Sequence, residues 1–135
     1  MKFKIYDASV LNKKRNVPAQ LGISCVSGCC RINSAARSMV ALKPADRIVF
    51  VQNEDEPTDW YFRKATEKEH GYMLRDYNGK AKNDTLLFNA AKLVSVICES
   101  LGFNGNSTKC NISNEPIEID GQVYWQLITG MIKNK

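Results

Sequence analysis

The stretch TLLFNAAKLVSVICESLG, residues 85–102, constrains the fold of this chain more than any other. Leu87, Ala90, Ala91, Val94, Ile97, Cys98 and Leu101 recur at steps of three and four residues, which puts them on one face of an α-helix. Capping residues precede it at the end of NGKAKND (78–84), and Gly102 supplies the left-handed residue on which helices commonly stop. A helix with one broad apolar face needs a surface to lie on, and the rest of the chain offers strands.

KFKIY (2–6) alternates lysine with apolar residues and reads as a half-exposed strand. ISCV (23–26) and CCRI (29–32) flank a Ser27-Gly28 turn. NSAARSMV (33–40) opens on a capping Asn33 or Ser34, and it has room for only about two helical turns before Pro44. RIVFV (47–51), WYFRKA (60–65) and YMLRDY (72–77) read as an antiparallel meander, joined by the acidic turn 52–59 and the polar turn 66–71. Asp120-Gly121 between strand-like runs predicts a type I′ hairpin. No long internal repeat is visible. The expectation is a single domain over residues 1–135 of α+β class: an antiparallel β meander with a short N-terminal helix, one long helix and a C-terminal β-hairpin.

Apolar content of 44% and charged content of 24% are those of an ordinary globular chain. No apolar run reaches the roughly 18–20 residues of a membrane helix, and MKFKIYDASV has no apolar core of a secretory signal, so no membrane and a cytoplasmic location are expected. The five cysteines, Cys25, Cys29, Cys30, Cys98 and Cys110, contain no CxxC, and His70 is the single histidine. Buried, reduced thiols fit this better than a metal site, and no cofactor is expected. His70 falls in a polar turn, which leaves a cysteine nucleophile without an evident base. GxSxG, HExxH, P-loop and GxGxxG motifs are absent, so a non-enzymatic protein is expected.

The net charge of +5 is unevenly placed: residues 1–50 hold nine Lys/Arg against two Asp/Glu. Such asymmetry suits a surface that meets nucleic acid or another polyanion. Lys13, Lys14 and Arg15 form a basic run in a loop. Aromatic residues alternate with cations on the meander strands, a pattern able to stack bases and hold phosphates. Alternation sends Trp60 and Phe62 inward and leaves Tyr61, Arg63 and Arg75 as contact candidates.

Within residues 28–50, Gly28, Cys30, Ile32, Ala36, Arg37, Val40, Leu42, Asp46, Ile48 and Phe50 follow, without a gap, the core pattern of AbrB-like domains. The stretch resembles that family of swapped-hairpin DNA-binding domains, found in bacterial transition-state regulators and antitoxins, and the likeness extends through strand 60–65. It implies DNA binding, with Arg37 at a DNA-facing position and Arg31 beside it, and a homo-oligomer. The chain departs from the pattern at Cys29, where the family has arginine, at Asn33 in place of proline, and at Ala41 and Ala45 in place of glycines. The unit 28–65 is too small to bury its own core, so it needs either a second chain or residues 66–135 of this one. The meander followed by a long helix also resembles, in topology only, the single-strand-binding folds of the transcriptional coactivator and PUR type. The leading expectation is a regulatory module that binds double- or single-stranded DNA through Lys13, Lys14, Arg15, Arg31, Arg37, Tyr61, Arg63 and Arg75. Its alternative is a structural or protein-interaction subunit, and a small redox protein using Cys25, Cys29 or Cys30 comes third.

Overall fold

The computed structural model describes residues 2–3, 17–76 and 85–130. The strand expected at 2–6 falls mostly outside them, as do Lys13, Lys14, Arg15 and Tyr77. In chain order the elements are β1 (Gln20–Ser24), β2 (Cys29–Ile32), α1 (Ser34–Val40), β3 (Arg47–Asn53), β4 (Glu56–Lys64), β5 (Tyr72–Met73), β6 (Arg75–Asp76), β7 (Leu86–Asn89), α2 (Ala91–Leu101), β8 (Ser107–Ile112), β9 (Ile117–Ile119) and β10 (Gln122–Ile128).

This corrects the α+β expectation. The described residues are mostly antiparallel strands in one nearly closed, barrel-like sheet, with two helices of seven and eleven residues. The expected long helix is the main error. Its first turn is instead β7, hydrogen-bonded to β2 on one side and β6 on the other. Leu86, Leu87 and Phe88 are all buried, and an unbroken apolar run fits a doubly flanked strand as well as a helix. What decides is the pair of strand edges waiting on either side, which are distant in sequence. YMLRDY likewise breaks at Leu74: β5 pairs with β3, and β6 pairs with β7. That segment joins the two ends of the order β3-β4-β10-β8-β1-β2-β7 and brings the sheet round to near closure.

The pairing pattern has a two-fold repeat that no sequence similarity announces. With β5 and β6 taken as one broken strand and the side strand β9 set apart, each half runs strand, strand, helix, strand, strand. β1 with β2 is matched by β6 with β7, β3 with β4 by β8 with β10, and β1 with β8 by β5 with β3. The halves meet where β1 pairs with β8, β2 with β7, β3 with β5 and β4 with β10. The partner that unit 28–65 needs in order to bury its core is thus supplied by the second half of the same chain.

Local chemistry explains the first half well. Asn33 caps α1 by accepting from Ala36 N at 2.9 Å, and the same oxygen accepts from Gln20 N at 3.0 Å, tying the helix start to β1. Asp46 Oδ2 accepts from Lys43 N at 2.9 Å and holds the turn before β3. Ala41 and Ala45 carry φ of 62° and 75°, in the left-handed region, and both are exposed. An L-residue there costs roughly 1–2 kcal/mol, against roughly 0.5–1 kcal/mol of extra chain entropy for glycine. The double change Ala41→Gly and Ala45→Gly is therefore expected to raise stability by about 1 kcal/mol, measured as a higher urea midpoint. Inside the barrel, Phe50, Phe62, Tyr72 and Phe88 stack with centroids 5.7–6.3 Å apart. Trp60 is buried and donates from Nε1 to Ser100 Oγ of α2 at 2.9 Å. Asp120 and Gly121 both take positive φ between β9 and β10, as a type I′ turn requires.

Candidate nucleic-acid interface

Strand alternation sets what the outside of the barrel shows. In β1, Leu21 and Ile23 point into the core, so Gln20, Gly22 and Ser24 face out; in β2, Cys30 and Ile32 point in and Arg31 faces out. In β8, Cys110 and Ile112 are buried and Lys109 is exposed. The registers Gly22↔Lys109, Gly22↔Arg31, Arg31↔Leu87 and Leu87↔Arg75 place these residues in one row across five strands. With strands about 4.8 Å apart, Arg31 stands roughly 10 Å from Lys109 on one side and roughly 10 Å from Arg75 on the other. Gly22 contributes no side chain, and its place is the floor of an open trough of about 480 Å³. Arg31 and Lys109 stand on either side of it, and Ser24, Ser107 and Thr108 also line it.

The wall carries no acid on four of its five strands, β1, β2, β7 and β8, and the one acid on β6, Asp76, is paired with Arg37. Arg31, Lys109 and Arg75 are exposed, and among the described residues none is ion-paired. Arg37, on α1, is held by Asp76 at 3.5 Å, next to the Arg75 end of the row.

Tyr61 and Arg63 belong to a different surface. They lie on β4, four strands from β2 in either direction around the barrel. Arg63 is clamped in two-pronged fashion by Glu69 at 2.6 and 2.7 Å and sits over the Tyr124 ring at 5.5 Å. The guanidinium hydrogen bonds hold the Glu69 carboxyl down at about 2, and Arg63 is in turn kept charged above its ordinary value. Tyr61 lines an apolar cleft with Val51, Ile117, Ile119 and Tyr124 and donates its O–H to Asp59 Oδ2 at 3.1 Å. Burial, then that hydrogen bond and the nearby acids, push the Tyr61 phenol up.

The residues expected to act together are therefore divided. Arg31 and Arg75 share a wall, Arg37 is engaged beside it, Tyr61 and Arg63 are on the far side, and Lys13, Lys14 and Arg15 lie outside the described residues. Gly22 and Lys109 were not expected. The alternation in STKCNI could have marked Lys109 as outward-facing, but no local signal pairs it with residue 22.

The cysteines contribute packing at this end of the barrel. Burial pushes the thiols of Cys30 and Cys110 up to about 12. Among the described residues no three His, Cys, Asp or Glu side chains converge as a metal site would. No protein-family model matches the chain, and neither a curated protein sequence nor a solved structure matches it.

Proposed function

We propose that this protein is a non-enzymatic nucleic-acid-binding module that seats the phosphate backbone on the wall formed by β8, β1, β2, β7 and β6. The observation that carries the reading is the row Lys109, Arg31, Arg75, none of them ion-paired among the described residues, with Lys109 and Arg31 flanking side-chain-free Gly22 on strands that carry no carboxylate. Cations at this spacing neutralise phosphates without reading bases. Of the aromatic residues on β4 and β10, Trp60 and Phe62 are buried and Tyr61 and Tyr124 line the cleft on the opposite wall, which favours backbone contact over base stacking. Lys13, Lys14 and Arg15 extend the positive run a few residues ahead of β1.

The AbrB-like resemblance supports the same reading. Gly28, Ala41 and Ala45 stand where the family pattern has glycine, and all three have positive φ. On this reading the second half of the chain takes the part that the family gives to a second copy.

Titrating the protein with labelled double-stranded and single-stranded DNA across a salt series tests the proposal. Wild type should lose affinity steeply with salt. Arg31→Ala combined with Lys109→Ala should reduce the slope of log K against log salt by about 1.8 on duplex and about 1.4 on single strands. Tyr61→Phe should leave both unchanged. A double variant that binds as wild type does, or wild type that binds neither DNA at about 50 mM salt, overturns the assignment.

A second reading, a protein-interaction subunit, is favoured by one specific feature. Ile117 and Ile119 on the β9–β10 hairpin are 41% and 49% exposed around the apolar cleft. Absence of DNA binding throughout the salt series would favour it.

A further inference from the structure

Cys25 and Cys98 lie 73 positions apart in sequence, yet their sulfurs are 3.1 Å from each other. Cys25 follows the end of β1 in the first half, where its N–H donates to Asn106 O at 2.8 Å. Cys98 is on the buried face of α2 in the second half. Both thiols are free, Cys25 is partly exposed and Cys98 is nearly covered. The other three cysteines have no such sulfur partner: Cys29 Sγ is directed at the carbonyl of Cys30 at 3.9 Å, and Cys30 and Cys110 are enclosed in the core. The five thiols are thus not equivalent, and one pair is set apart by both contact and access.

We propose that Cys25 and Cys98 form a reversible thiol-modification site, in which a small-molecule disulfide such as oxidised glutathione converts the pair into a crosslink between the two halves of the barrel. The partly exposed Cys25 thiolate attacks one sulfur of the glutathione disulfide, forming a mixed disulfide and expelling one glutathione thiolate. Cys98 then loses its proton to solvent and attacks Cys25 Sγ, expelling the second glutathione thiolate. Two protein thiols are oxidised to one disulfide while one glutathione disulfide is reduced to two thiols. Burial, together with the hydrogen bond to Cys25, pushes the Cys98 thiol up to about 12, so the second step is the slow one and accelerates with pH.

Closing the bond constrains a long loop of the unfolded chain, the condition under which a crosslink stabilises most. It also fixes the turn after Ser24, one of the residues that line the basic trough. The site stands whether or not the trough binds nucleic acid, because its test reads thiols and melting alone.

The experiment uses the full chain carrying Cys29→Ser, which removes the adjacent Cys29–Cys30 pairing and leaves Cys25 and Cys98 intact. The protein is incubated with oxidised glutathione at several pH values, and intact mass, a non-reducing peptide map and the melting temperature are recorded. The expected product has lost two hydrogen atoms, yields a Cys25–Cys98 linked peptide, reverts with a dithiol reductant and melts about 10 °C higher. Adding Cys98→Ser should stop the reaction at a single glutathione adduct on Cys25. A product that remains a mixed disulfide in the Cys98-containing protein overturns the proposal. So does a crosslink mapped to another pair, or one that still forms without Cys98.

Discussion

Gly28→Ala is expected to lower the stability of this protein by about 3 kcal/mol, the sum of two penalties at one position. Gly28 has φ of +73°, which costs an L-residue roughly 1–2 kcal/mol. A Cβ built there also lies 2.5 Å from Ala91 Cα and 2.9 Å from Ala91 N, and these are backbone atoms that cannot swing aside. Overpacking of this kind adds roughly 1–3 kcal/mol. The site has no slack, because Gly28 N donates to Ser24 O and Ala90 N donates to Gly28 O, each at 2.9 Å. The turn between β1 and β2 is in this way docked on the first turn of α2, and the close approach fixes one half of the barrel against the other. Urea unfolding should show a lower midpoint with unchanged m, and the melting temperature should fall by about 10 °C. Gly121→Ala is the internal control. Its φ is also positive, at +80°, but a Cβ there meets nothing within 4 Å, so it should carry the conformational penalty alone. Equal losses at the two glycines would remove the close-packing argument.

Residue 28 also shows what could be read before the structure was known. The Ser27-Gly28 turn, the Asn33 cap, the strand at 47 and the Asp120-Gly121 hairpin are all local, each set by one or two side chains within a few bonds of the backbone they shape. They were legible for that reason. The closure of the sheet was not, because it depends on pairings such as Leu21↔Cys110 and Arg31↔Leu87 that no local pattern encodes. The same distinction governs the candidate site. Arg31 and Arg75 could be named as outward-facing cations, but that Leu87 lies between them follows only from β7 being a strand. Alternation along β4 puts Trp60 and Phe62 on one face and Tyr61 and Arg63 on the other, and the first pair is buried. What alternation along one strand cannot tell is which wall of a barrel that strand belongs to, and so Tyr61 and Arg63 were grouped with cations on the far side.

Leu74→Ala is expected to cost about 3 kcal/mol and, more tellingly, to open the barrel at one seam. Leu74 is fully buried at the break between β5 and β6. Its N–H donates to Asp46 O and its carbonyl accepts from Ala45 N, both at 2.8 Å, so it is held at the β3 edge just before the chain crosses to β7. The equivalent strand in the first half, β1, is tied far more firmly, with five register partners on β8 and three on β2. Among the described residues β5 and β6 have two each. Side-chain packing at Leu74 must then offset what these short ladders lack in hydrogen bonds. Removing it should produce a local opening below the global unfolding free energy, detected as faster amide exchange in β3 and β7 but not in β1 or β8. Leu21→Ala, at the nearly as well buried position on β1, should lower global stability by a similar amount without singling out those strands. Arg75 follows Leu74 directly, so opening the seam also takes the last cation out of the basic row. If that row binds phosphates, Leu74→Ala should weaken DNA binding at least as much as Arg75→Ala does, although Leu74 itself is hidden from any ligand. Uniform exchange in the Leu74 variant, matching that of the Leu21 variant, would show that the sheet does not open at this point.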